Sequence, residues 1–123
     1  MGKDDRPQDR DVLLSAAAAI DRTLAALADP NRRRVVELLR DRPHRAGELA
    51  ESVGLSPAAL SRHLRTLKAG GLIEEVHPDY DARVRIYALK TGSMAGLKSW
   101  VDQTEQLWAD QLAALKAHVE KMP

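Results

Sequence analysis

The chain has 123 residues, 44% of them apolar and only 3% aromatic, with no phenylalanine and no cysteine. This length suits one domain with a core of Leu, Val, Ala and Ile, and the lack of cysteine excludes disulfides, thiolate metal sites and thiol nucleophiles. No apolar run approaches the roughly 18 residues of a membrane span and MGKDDRPQDRD has no signal-peptide core, so a soluble, cytoplasmic protein without a membrane partner is expected; the net charge of +1 alone points to no partner.

Residues 1–10 are charged and aperiodic and read as a disordered arm. A helix over 11–28 follows, with Leu13, Ala17, Ile20, Leu24 and Leu27 in one stripe. Asp29-Pro30 then gives an N-cap and a proline at the first helical position, opening a helix to about Arg40 that carries Val35, Val36, Leu38 and Leu39. A turn over 41–45 leads to a short helix over 46–53, closed by Gly54.

Ser56 and Pro57 repeat the cap-and-proline signal for a helix over 57–69. Leu60, Leu64 and Leu67 form its inner stripe, which turns Ala58, Arg62, Arg65 and Ala69 outward, and Gly70-Gly71 ends it. A small, basic outer face lets a helix sink into a major groove, where arginine reaches guanine edges or phosphates and serine serves either. The segment 54–72 thus reads as the turn and recognition helix of a helix-turn-helix, against the plainer reading of an amphipathic surface helix with solvated arginines. From Pro30 to Lys90, 12 Lys or Arg stand against 8 Asp or Glu, so the basic charge is concentrated around this helix.

After it the period changes. Ile73 and Val76, then Val84, Ile86 and Ala88, suggest two strands joined by the turn HPDYDAR, a wing over 76–86. Thr91 is expected to cap a last helix over 93–119, where Leu97, Val101, Trp108, Leu112 and Leu115 follow a spacing of three and four beside Trp100 and Leu107. One small domain cannot cover both this stripe and that of the first helix. A homodimer is therefore expected, with Leu13, Ala17, Ile20, Leu97, Trp100, Val101, Leu107, Trp108, Leu112 and Leu115 in its interface. The fold class is mainly α with a small β-hairpin.

The words LAALADPNRRRVVELL (24–39), GELAESVGLSPAALSRHLRTLKAGGLI (47–73) and RVRIYAL (83–89), in this order, resemble the ArsR (ArsR/SmtB-like) family of winged helix-turn-helix transcriptional regulators. WVDQTEQLW in the last helix looks like members without metal-sensing cysteines. The resemblance implies a DNA-binding winged domain over 11–90, a dimerisation helix over 91–123 packed on it, and a homodimeric repressor of a double-stranded, imperfectly palindromic operator. Carried over by position, it implies Ser56, Pro57, Ala58, Ser61 and Arg62 at the groove, Arg65 and Lys68 nearer the phosphates, and Arg83 and Arg85 in the wing. Proline at 57 departs from a pattern in which glutamine often reads a base, which shifts weight to Ser61 and Arg62. Arg45 is a further phosphate contact in this reading.

His63 falls nearer the buried side of its helix and reads as a satisfied histidine rather than a base contact. Arg32, Arg33 and Arg34 sit at a helix start, where positive charge opposes the dipole and needs compensation, either phosphate contact by one or two of them or a solvated or ion-paired face. No metal or cofactor is expected: His77, Asp79 and Asp81 in the wing turn are ordinary turn residues, and His118 and Glu120 lie on different faces of the last helix. No catalytic motif is visible, so the protein is not read as an enzyme. The rival readings are a winged-helix protein-interaction module and a metal sensor with ligands other than cysteine. An effector, small molecule or protein, would act near Trp100, Trp108 and the first helix, although both tryptophans also suit plain interface core.

Overall fold

A computed structural model describes residues 7–78, 81 and 83–123. Among these residues the order is α1 (Pro7–Leu27), α2 (Pro30–Asp41), β1 (His44–Arg45), α3 (Ala46–Val53), α4 (Pro57–Ala69), β2 (Ile73–Val76), β3 (Ile86–Leu89) and α5 (Ala95–Glu120). The class is the expected one, helices with a small antiparallel sheet.

Local chemistry sets the helix boundaries. The Asp29 carboxylate accepts from the backbone N–H of Asn31 (2.8 Å) and of Arg32 (3.1 Å), with Pro30 at the first position of α2. Ser56 Oγ accepts from Ala59 N at 3.2 Å, and Pro57 opens α4. Gly54 and Gly71, at φ 74° each, take the left-handed conformation that ends α3 and the turn after α4.

Val35, Val36 and Leu39 of α2, Leu49 and Ala50 of α3, and Leu60, Leu64 and Leu67 of α4 form one core with Ala26, Leu72, Ile73 and Tyr87. Burying a leucine such as Leu60 or Leu67 stabilises by roughly 1.5–3 kcal/mol, which fixes α4 on α2 and α3 and leaves its outer face to solvent. The sheet runs in the order β1-β3-β2, all antiparallel, with Ile73 opposite Leu89, Val76 opposite Ile86, and Arg45 opposite Ile86 on the other edge.

Four details differ from the sequence reading. The first helix already includes residues 7–10, expected in the disordered arm, and Pro7 suits a helix start; residues 1–6 lie outside the described residues. The segment 41–45 holds the short strand β1, formed by backbone pairing that two residues of sequence cannot signal. Val76 is exposed, since an odd spacing puts it on the opposite face from Ile73. Thr91 does not cap the last helix: Gly92 at φ 76° carries a turn, Ala95 N donates to Gly92 O at 3.1 Å, and Met94 stands at the cap, packed on the core.

No residue of α5 is buried, and among the described residues α1 buries only Thr23 and Ala26 near its C-terminal end. Leu13 is 71% exposed and Trp108 65%. Trp100, Val101, Leu107, Leu112 and Leu115 are exposed too, while Ile20 and Leu97 are half-buried where the two helices meet. Ala17 is also exposed. Among the described residues no helix is long and apolar enough to cross a membrane.

Candidate nucleic-acid interface

The leucine stripe of α4 faces the core, so Ser56, Pro57, Ala58, Ser61, Arg62, Arg65 and Lys68 all lie on its exposed side. Arg62 and Arg65 form no salt bridge among the described residues. The Thr66 hydroxyl, on the exposed side, donates back along the helix to Arg62 O at 3.2 Å. His63 is half-buried, and its Nδ1 stands 3.3 Å from Arg32 Nη1. A guanidinium can only donate, so His63 Nδ1 is the acceptor.

The wing and the end of α4 meet at a carboxylate that sequence reasoning did not single out. Lys68 Nζ lies 2.9 Å from Glu75 Oε2, while Arg85 Nε and His77 Nε2 lie 3.4 and 3.5 Å from Glu75 Oε1. The Glu75 side chain is only 14% exposed. Lys68, by its hydrogen bond above all, holds this carboxyl below the usual carboxylate range against the opposing effect of burial; Arg85 and His77 add smaller contributions in the same direction. A sequence signal for Glu75 does exist, since it shares a strand face with buried Ile73, an unusual place for an acid.

Arg83 follows a different local logic. Its backbone N–H and its Nε donate to Asp81 Oδ1 at 2.9 and 3.3 Å, a side-chain-closed turn that leaves the guanidinium largely in solvent. Arg45 stands at the N-cap of α3, where its backbone N–H donates to Glu48 Oε1 at 3.3 Å and its exposed side chain is free to project. Sheet register puts it across from Ile86, the neighbour of Arg85. Arg42 holds the other oxygen of Glu48 at 3.1 Å and, with the Arg45 amide, keeps that carboxyl low.

Of the three arginines opening α2, two find their compensation inside the protein. Arg32 donates through Nε to Ala26 O (2.6 Å) and through Nη2 to Ala25 O (3.1 Å), and Arg33 Nη1 donates to Leu27 O at 2.8 Å. These carbonyls belong to the last turn of α1, where Ala25 O also accepts from Ala28 N at 3.3 Å, so charge that opposes the dipole of α2 favours that of α1. Arg34 is exposed.

Among the described residues no three acidic or histidine side chains converge as a metal site. His77 is engaged with Glu75 and Asp81 with Arg83, and Asp79 lies outside the described residues. His44, nearly buried, donates from Nδ1 to Arg42 O at 2.8 Å and so serves the fold. His118 and Glu120 are exposed on α5.

Comparison with known proteins agrees with this geometry. Residues 29–75 match the family described as "Bacterial regulatory protein, arsR family". The chain is 36% identical over 91 residues to the HTH-type transcriptional regulator Rv2034 of Mycobacterium tuberculosis, an alignment covering 73% of this chain and 81% of that one. It is 36% identical over 50 residues to the transcriptional repressor SdpR of Bacillus subtilis, covering 41% of this chain and 56% of the other. Among solved structures, an ArsR-like transcriptional regulator from Rhodococcus sp. RHA1 superposes with a TM-score of 0.75 at 27% identity, over 88% of this chain and 99% of that one. The small basic outer face of α4, the wing beside it and these likenesses together assign the chain to the ArsR family of DNA-binding transcriptional regulators, which are not enzymes.

Proposed function

We propose that two copies of the chain act together in the cytoplasm as a repressor, each inserting α4 into a major groove of an imperfectly palindromic operator. The observation that carries this reading is the exposure of Arg62 and Arg65, without a salt bridge among the described residues, beside Ser61 on a helix anchored from behind by three buried leucines. Ser56, Pro57, Ala58, Ser61 and Arg62 face the bases, Arg65 and Lys68 the phosphates, and Arg83, Arg85 and Arg45 the flanking backbone. Proline at 57 offers no donor, so Ser61 and Arg62 carry base readout. The repressor sense follows SdpR, which is named as one.

The apolar faces of α1 and α5 support the dimer: Leu13, Trp108, Leu112 and Leu115 are too exposed for a chain that works alone. Pairing through these helices would set the recognition helices about 34–36 Å apart, one turn of DNA. A signal acting where α1 meets α5, in the cleft of about 350 Å³ lined by Ile20, Leu97 and Trp100, would change that spacing. Tryptophan fluorescence that ignores every compound able to release the DNA would remove the cleft from consideration.

The decisive experiment is a fluorescence-anisotropy titration of the DNA upstream of the chain's own gene against random DNA across a salt series. Tight, selective binding by a dimer is the expected result. Weak and equal binding to both would favour either a distant operator or a protein-interaction module.

A further inference from the structure

Building on the DNA-binding reading, we propose that Glu75 is an internal stand-in for a DNA phosphate, occupying the wing-side cations and thereby suppressing binding to arbitrary sequence. Lys68 comes from the end of α4, His77 follows β2 and Arg85 precedes β3, yet all three turn to one recessed carboxylate at 2.9–3.5 Å. The carboxylate is 14% exposed, whereas Lys68 and Arg85 remain more than half exposed. An acceptor set back among exposed donors is what an arriving phosphate oxygen would itself provide.

A phosphate that takes Lys68 and Arg85 must draw them from Glu75, leaving a recessed carboxylate with fewer partners and its own charge facing the DNA. Binding to arbitrary DNA consists almost wholly of phosphate neutralisation, so nothing there offsets this loss. On an operator, contacts from the α4 face do offset it. Among the described residues Arg62, assigned to the bases, has no salt bridge, whereas Lys68 and Arg85, assigned to the phosphates, both pair with Glu75. A purely structural brace is a weaker account, because pairs with exposed partners add little to stability.

The test uses the full chain and Glu75→Gln, which keeps size and a hydrogen-bond acceptor but removes the charge, with Glu75→Ala as a second variant. Anisotropy titrations are run on a random duplex and on the duplex upstream of the chain's own gene, between about 50 and 200 mM salt. The expected result is a severalfold gain in affinity for the random duplex, a salt slope steeper by about one to two, and a smaller gain on the upstream duplex, so that selectivity falls. Unchanged or weaker binding of the random duplex with an unchanged slope, in variants that melt like the parent, would overturn the proposal and leave Glu75 a brace. Failure of the parent chain to bind either duplex would instead overturn the DNA-binding reading on which the proposal stands.

Discussion

Arg32 reaches His63 across 3.3 Å, from the first turn of α2 to the middle of α4, while the same guanidinium closes the end of α1 through Ala25 O and Ala26 O. One side chain therefore ties together the helix proposed for association, the supporting helix and the helix proposed to read DNA. Replacing it with alanine takes its donor from Ala26 O and from the His63 ring, and leaves Ala25 O only the Ala28 N–H. Arg32→Ala is expected to lower stability by about 1–3 kcal/mol, seen as a lower denaturant midpoint with an unchanged slope. Arg32→Lys should recover little of it, since an ammonium cannot reproduce the planar fork.

Base reading and phosphate contact should separate in mutant titrations. Arg62→Ala is expected to cost about 1–3 kcal/mol on the operator and to relax its specificity, whereas Arg83→Ala weakens operator and random DNA more evenly and lowers the salt slope by about one. Equal effects on both duplexes from both variants would contradict the assignment of Arg62 to the bases.

The exposed faces of α1 and α5 make a prediction about assembly. A charge at Trp108 or Leu112, as in Trp108→Glu or Leu112→Asp, should yield a monomer in sedimentation velocity. Operator affinity should drop in parallel, while the helix content by circular dichroism stays near that of the parent, because neither side chain is part of the core. A dimer that survives both changes would place the interface elsewhere.

Asp29 gives a pH dependence of known sign. Its carboxyl is held below the usual range, chiefly by the N–H of Arg32. A group with a depressed folded-state pKa contributes stability above its unfolded value, about 3.9, and loses that contribution as pH falls through the depressed one. The melting-temperature gap between the parent and Asp29→Asn should therefore be widest near neutral pH and close as the solution is acidified below about 4.

The boundaries of α2, α3 and α4 were legible because Asp29-Pro30, Gly54 and Ser56-Pro57 act on neighbours within three or four residues. The leucine stripe of α4 was equally legible, and with it the exposed face. Glu75 was legible only as an acid sharing a strand face with Ile73; its partners, 7 residues before it, two after and ten after, lie on three separate segments that no local period links. The roles of Arg32 and Arg33 were half visible: their conflict with the dipole of α2 could be read, but not that the end of α1 would resolve it. Strand β1 and the turn at Gly92 escaped because both depend on backbone geometry alone.

Where α4 ends, it touches α1 with nothing to spare. A methyl placed on Gly70 would stand 3.3 Å from Ala26 Cβ and 3.4 Å from Thr66 O, tighter than ordinary packing. The two helices thus share a fulcrum one hydrogen atom thick, with Gly70 at the heel of α4 and its arginines on the far arm. An added carbon at this point would require Ala26 or the end of α4 to give by a few tenths of an ångström. The smallness of residue 70 thus lets the end of α4 approach α1 this closely.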